Sequence, residues 1–127
     1  MINEEMIEGV MRSALNSISK KDKISLKELR IKMQLNKEIN SVNCSILKGK
    51  EYVSELSWAR ILGIKVFFSN IIIDRIKNML IELSKENDIE PIQINARIYS
   101  IDEKGTPNIY IYNSKKPIKK INLSDLF

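Results

Sequence analysis

The apolar residues change period along this chain, and that change limits the fold to a combination of helix and sheet. Ile2, Met6, Ile7, Val10, Met11, Ala14, Leu15 and Ile18 recur at three-and-four spacing, the stripe of an amphipathic helix over residues 2–19. Glu4, Glu5 and Glu8 stand at its start and Lys20 and Lys21 at its end, signs that suit the helix dipole. Ile72, Ile76, Met79, Leu80 and Leu83 predict a second stripe over residues 71–85, capped by Ser69 or Asn70. From Pro91 the period becomes two. Ile92, Ile94, Ala96 and Ile98 share one strand face, and Gln93, Asn95, Arg97 and Tyr99 share the other. Asp102-Glu103-Lys104-Gly105-Thr106-Pro107 is a turn cluster, and Asn108 to Asn113 returns with Ile109 and Ile111 opposite Tyr110 and Tyr112. The fold expected is α+β, with helices packed on a small antiparallel sheet that includes a C-terminal β-hairpin.

Between these segments the signals compete. Ser25-Leu26-Lys27-Glu28 is a capping box flanked by Ile24 and Leu29 as a hydrophobic staple, and it predicts a helix from Leu26 to Gln34. That helix leaves Ile31 on the wrong side, facing either a second covering element or a partner chain. Val42, Cys44 and Ile46 alternate ahead of a Lys48-Gly49-Lys50 turn, or else belong to a helix ending at Gly49. Ser54 offers a cap for a short helix through Trp58 and Leu62 with Gly63 as its stop, and Ile64, Val66 and Phe68 suggest a brief strand. After Pro117, Ile118, Ile121 and Leu123 form a third strand or a docking tail. No linker, internal repeat or low-complexity segment is evident, so one domain is expected over residues 1–127.

Composition excludes more chemistry than it suggests. The chain has no His and one Cys, so a Ser–His–Asp site, a Cys–His site and a Cys/His zinc site all lack their parts. Its four glycines are scattered singly, and no phosphate-cradling loop can be assembled from them. Asp88, Glu90, Asp102 and Glu103 flank the first C-terminal strand, where carboxylates are ordinarily solvated. A non-enzymatic protein with no cofactor and no metal is expected. The acidic N-terminus has the wrong polarity for a secretory signal. The longest apolar stretch, Ile61–Ile73, contains Lys65, Ser69 and Asn70 and falls short of the ~20 residues of a membrane span. With a lone Cys44 fitting a reducing compartment, a cytoplasmic location and no membrane partner follow as expectations.

What remains is charge and aromatic placement. The net charge is +5, and the stretch Lys20–Lys37 alone holds Lys20, Lys21, Lys23, Lys27, Arg30, Lys32 and Lys37 against Asp22 and Glu28. Such a cluster neutralises phosphates and makes binding salt-dependent. Arg97, Tyr99, Tyr110 and Tyr112 fall on the polar face of the C-terminal hairpin, followed by Lys115, Lys116, Lys119 and Lys120. Rings beside cations on a sheet form a stacking platform for bases.

The runs Ile24-Ser25-Leu26-Lys27-Glu28-Leu29, Leu47-Lys48-Gly49-Lys50-Glu51-Tyr52-Val53-Ser54-Glu55 and Arg60-Ile61-Leu62 resemble bacterial helix-turn-helix DNA-binding regulators over residues 24–62. The sequence departs from that pattern at Arg30, where a small residue is usual, and in a longer turn. The resemblance implies a recognition helix near Asn40 to Leu47, presenting Asn40, Ser41, Asn43 and Ser45 to base edges. The leading expectation is therefore a nucleic-acid-binding protein, with the resemblance implying a small regulator, using Lys27, Arg30, Lys32, Lys37, Asn40, Asn43, Lys48 and Lys50, with the tyrosine face and Lys tract as a second contact. The alternative is an interaction or inhibitor module of a mobile element, gripping a protein partner or a small nucleotide through the tyrosine face. A homodimer would follow if the Ile/Met stripe of the first helix were left uncovered.

Overall fold

The computed structural model describes residues 3–55 and 66–126. Helix α1 (Glu4–Asp22) begins at Asn3, whose side chain accepts the Met6 N–H, and ends at Lys23 in the left-handed region, where the Ile24 amide closes on the Ser19 carbonyl. Three strands follow: β1 (Leu29–Leu35), β2 (Val42–Lys48) and β3 (Glu51–Glu55). Helix α2 (Val66–Glu86) then leads to β4 (Ile94–Ser100), β5 (Pro107–Asn113) and β6 (Lys116–Ile121), before a short 3-10 turn at Leu123–Leu126. The six strands form one antiparallel sheet in the order β3-β2-β1-β4-β5-β6, with both helices packed on one of its faces.

The expected α+β class holds, but the helix expected at Leu26–Gln34 is a strand. Leu29, Ile31, Met33 and Leu35 are all buried, and only a period of two puts the four on one side. As a helix they would spread around the axis and strand Ile31, the residue that did not fit. The capping-box serine instead closes a single turn: its carbonyl takes the Glu28 and Leu29 amides, and the chain enters β1. The segment read as a recognition helix is β2, again because Val42, Cys44 and Ile46 must bury together against the helices. A helix-turn-helix arrangement is therefore ruled out for residues 24–55. The short helix expected from Ser54 to Leu62 extends into residues outside those described, although Ser54 itself lies in β3. Val66 and Phe68, read as a strand, open α2, and Ser69 and Asn70 lie within that helix rather than capping it; the apolar run continues upstream past these weak cap signals. Ile92 precedes β4 in a turn and is exposed. Most of the stripe of α1 is covered: Ile7, Met11, Ala14, Leu15 and Ile18 are all buried in the core, while Met6 at its start is exposed. Burying a side chain of Ile or Leu size contributes about 1.5–3 kcal/mol.

Among the described residues, the order of α-helices and strands is one unit used twice, αβββ followed by αβββ. An offset of 65 residues carries Leu29–Leu35 onto Ile94–Ser100 and Val42–Lys48 onto Pro107–Asn113. It also superimposes the registers: Leu29 pairs with Lys48 as Ile94 pairs with Asn113. The bulge between Ile46 and Leu47 in the β2–β3 ladder recurs between Ile111 and Tyr112 in β5–β6. Left-handed backbone occurs at Lys23 and Asp88, and at Gly49 and Ser114. The amide of Gly49 donates to Glu28 as that of Ser114 donates to Gln93. This corrects the expectation of no internal repeat: comparing residues 4–55 with 69–120, nine of the fifty-two aligned positions are identical, too few to show against a lysine- and isoleucine-rich background.

A local two-fold axis thus passes between β1 and β4, at the facing pair Lys32 and Arg97. The units interlock: α1 packs on β4 and β5, and α2 on β2 and β4. The β4–β5 turn docks on α1, where the Asn16 amide donates to the carbonyls of Arg12 and Lys104 and Arg12 donates to the Thr106 hydroxyl. Gly105, at φ +85°, sits so close that a Cβ there would lie 2.6 Å from the Asn16 amide nitrogen.

Candidate functional site

With both helices on one face, alternation sends every second strand residue to the other. Arg30, Lys32 and Gln34 project there from β1, and Asn43, Ser45 and Leu47 face them from β2. Asn95, Arg97 and Tyr99 project from β4, Asn108, Tyr110 and Tyr112 from β5, Tyr52 from β3 and Lys120 from β6. Among the described strand positions of this face the one acidic residue is Glu55 of outer strand β3, the register partner of Ser45.

The rings and cations form a continuous array. Tyr99 and Tyr110 stack with centroids 5.6 Å apart and planes 6° from parallel. The Arg30 guanidinium lies 4.1 Å from the Tyr99 centroid, and that of Arg97 lies 4.3 Å from the Tyr112 centroid. Buried Asn95 is the anchor beneath. Its amide donates to the carbonyls of Gln93 and Ser114, while its oxygen accepts from Arg97 Nε at 3.1 Å. Arg97 also donates to the Ser114 carbonyl, so its planar head is fixed in position.

At the centre of the face, Lys32 and Arg97 stand directly opposite each other in neighbouring strands, an arrangement that costs energy for like charges. Partial burial, and then the charge of Arg97, hold the Lys32 ammonium below the ordinary lysine value. Arg97 is lowered chiefly by burial, with Tyr112 opposing and Arg30 adding to the effect, and it remains a cation at neutral pH. Burial and then the neighbouring Tyr110 raise the Tyr99 phenol, which stays protonated. The ion pairs formed among the described residues, Arg12–Glu8, Lys48–Glu28 and Lys77–Asp74, all lie elsewhere.

Of the residues singled out from sequence, the sheet assembles Arg30, Lys32, Asn43, Arg97, Tyr99, Tyr110, Tyr112 and Lys120 on the open face. Lys27, Lys50 and Lys115 sit in turns at its margin. Lys37 and Asn40 belong to the β1–β2 turn, where Asn40 bonds with Asn36. Lys48 is paired with Glu28, while Lys116 and Lys119 lie along the exposed outer strand. Lys20 and Lys21 end α1 in the helix layer and take no part in this face. The cationic run Lys20–Lys37 is therefore divided between two sides of the molecule. Sequence reasoning missed Gln34 and Tyr52 and gave Ser45 a place on a helix; the alternation Leu29-Arg30-Ile31-Lys32-Met33-Gln34-Leu35 was the signal for β1 and its partners.

Among the described residues, two hollows along the face stand out. One, of about 320 Å³, is lined by Lys32, Lys50, Arg97, Lys115, Tyr52 and polar neighbours. The other, of about 720 Å³, lies at the end of the sheet among Ser25, Lys27, Arg30 and Tyr99, but Asp102 and Glu103 give it mixed charge. The described residues contain no helix long and apolar enough to cross a membrane. No protein-family model matches the chain, and no curated protein or solved structure matches it either.

Proposed function

We propose that the open face of the sheet binds single-stranded nucleic acid without catalysing a reaction. The observation that carries this is the array Arg30–Tyr99–Tyr110 and Arg97–Tyr112, set beside the like-charged central pair Lys32 and Arg97. Flat ring surface receives bases, and fixed cations that form no ion pair among the described residues receive phosphates. A strand of alternating anionic and aromatic character satisfies both, and it relieves the repulsion between Lys32 and Arg97. A duplex presents its bases only at their edges, so the rings favour an unpaired strand.

Fluorescence anisotropy with labelled single-stranded DNA and RNA 20-mers tests this. The wild type binds at low salt, and affinity falls as salt rises. Tyr99→Ala and Tyr112→Ala each weaken binding by about fivefold to 150-fold, the equivalent of one lost base stack at 1–3 kcal/mol. Arg30→Glu combined with Lys32→Glu removes binding while leaving the circular dichroism spectrum unchanged. If no strand binds at low salt, or the tyrosine variants bind like the wild type, the assignment is wrong.

A further inference from the structure

The repeat makes one part of the open face readable against the other. Carried forward by 65 residues, Gln34, Ser45 and Leu47 correspond to Tyr99, Tyr110 and Tyr112. In the second unit these positions are taken by stacked rings. In the first unit the smaller side chains leave the hollow of about 320 Å³. It runs as a groove from Ser114 and Lys115 in the β5–β6 turn, past Arg97 and Lys32 at the centre, to Lys50 and Tyr52 at the β2–β3 hairpin. Lys50 and Lys115 are themselves equivalent under the offset, so the groove has a cation at each end and two at its middle. None of its described lining residues is a carboxylate, and none of the four cations belongs to an ion pair among the described residues.

We propose that this groove is the phosphate seat of the molecule, holding the phosphates of a nucleotide ligand along Lys115, Arg97, Lys32 and Lys50 while bases lie on the tyrosines of the second unit. The inference rests on the nucleic-acid assignment and adds a division of labour: the first unit holds backbone and the second holds bases. Between the cations, the Ser45 hydroxyl and the Gln34 N–H not given to the Ile92 carbonyl supply donors for phosphate oxygens, while Asn95, whose amide is already donated to two carbonyls, holds Arg97 in place. The central cations already meet part of the desolvation cost in the free protein, because Lys32 and Arg97 are both half-buried.

Closing the groove without touching its charge is the decisive experiment. Ser45→Tyr installs the residue that its equivalent, Tyr110, already carries at the same backbone position. It should reduce affinity for a labelled single-stranded 20-mer at least tenfold. Lys50→Ala with Lys115→Ala, both exposed turn positions, should lower the slope of log K against log salt by roughly 1.4, given about 0.7 per phosphate contact on a single strand. Tyr99→Ala should weaken binding but leave that slope intact. Thermal unfolding of each variant establishes that it is folded. Adenosine monophosphate and inorganic phosphate, titrated by calorimetry, separate phosphodiester from phosphate monoester as the source of the group held.

If the wild type binds the 20-mer but Ser45→Tyr and the double lysine variant match it in affinity and slope, the groove assignment fails and the function stands. If no 20-mer binds, yet adenosine monophosphate binds and Ser45→Tyr abolishes it, the function fails and the phosphate seat stands. If no oligonucleotide, nucleotide or phosphate binds, both are overturned.

Discussion

In the first unit the open-face positions of the two long strands hold Gln34, Ser45 and Leu47, and in the second they hold Tyr99, Tyr110 and Tyr112. On the buried side the same strands match in character: Leu29 with Ile94, Met33 with Ile98, Cys44 with Ile109 and Ile46 with Ile111. Packing requires only an apolar residue of suitable volume at these inward positions, and both units supply one except where Leu35 corresponds to Ser100, whose hydroxyl donates to the Leu26 carbonyl. Nothing in the core demands tyrosine on the outside. The contrast separates what the fold needs from what a ligand would need, and it locates the second requirement on one face.

The equivalence of the buried sides can be broken most severely at its closest pair. Ile46 and Ile111 are fully buried, identical and placed at the same point beside the bulge. Ile46→Ala and Ile111→Ala should each cost about 2–5 kcal/mol, the range for a large-to-small change in a core, read from urea unfolding. Because each helix packs across strands of the other unit, a cavity in either half should lower one shared cooperative transition. Two separated transitions, or a loss below about 1 kcal/mol at one site only, would show that the units do not share stability equally.

A smaller difference lies in the turns after β2 and β5. Both require left-handed backbone, at φ +63° for Gly49 and φ +55° for Ser114. Glycine meets this without steric cost, whereas an L-residue loses about 1–2 kcal/mol. Gly49→Ala should therefore destabilise by about 1 kcal/mol, with no packing contribution, since nothing lies within 4 Å of the added Cβ. Ser114→Gly should stabilise by up to about 1 kcal/mol, reduced by the freedom glycine adds to the unfolded chain. The Ser114 contacts that matter to the face, from Asn95 and Arg97, are made to its carbonyl and survive the change. A destabilised Ser114→Gly would mean that the serine side chain contributes more than its backbone strain removes.

The same contrast explains how far sequence alone reached. The β4–β5 hairpin was legible because period-two alternation and a turn cluster agree there, and α1 because its stripe, first-turn acids and last-turn bases agree. In β1 they conflicted. A capping box at Ser25–Glu28 spoke for helix, while Leu29, Ile31, Met33 and Leu35 spoke for strand, and a local cap is worth less than four buried side chains. That single conflict hid half of the candidate site, because Lys32 meets Arg97 only when both lie on strands. The tyrosine half was identified correctly as one face, and the groove beside it was not, since its lining is drawn from turns and strands of both units. The repeat itself consists of registers, a bulge and backbone torsions, features that nine shared residues cannot announce.

The smallest expected effect concerns the turns joining β1 to β2 and β4 to β5. In the first, the neutral amide oxygen of Asn36 accepts from the Asn40 and Ser41 backbone. In the second, a carboxylate does this work: Asp102 accepts from the amides of Lys104 and Thr106 and from the Thr106 hydroxyl at 2.7 Å. Those bonds, led by the Thr106 amide and hydroxyl, hold its pKa below the ordinary 3.8. A depressed carboxyl pKa means that the folded state favours the ionised form, so its contribution is complete above 3.8 and is lost as pH falls through the lower folded value. Asp102→Asn keeps an accepting oxygen but cannot ionise, and so makes the second turn resemble the first. Wild type should melt at a slightly higher temperature than Asp102→Asn near neutral pH, and the gap should close as pH drops below the ordinary carboxyl value. A gap that stays constant with pH would assign the difference to geometry, leaving both turns equally insensitive to protons.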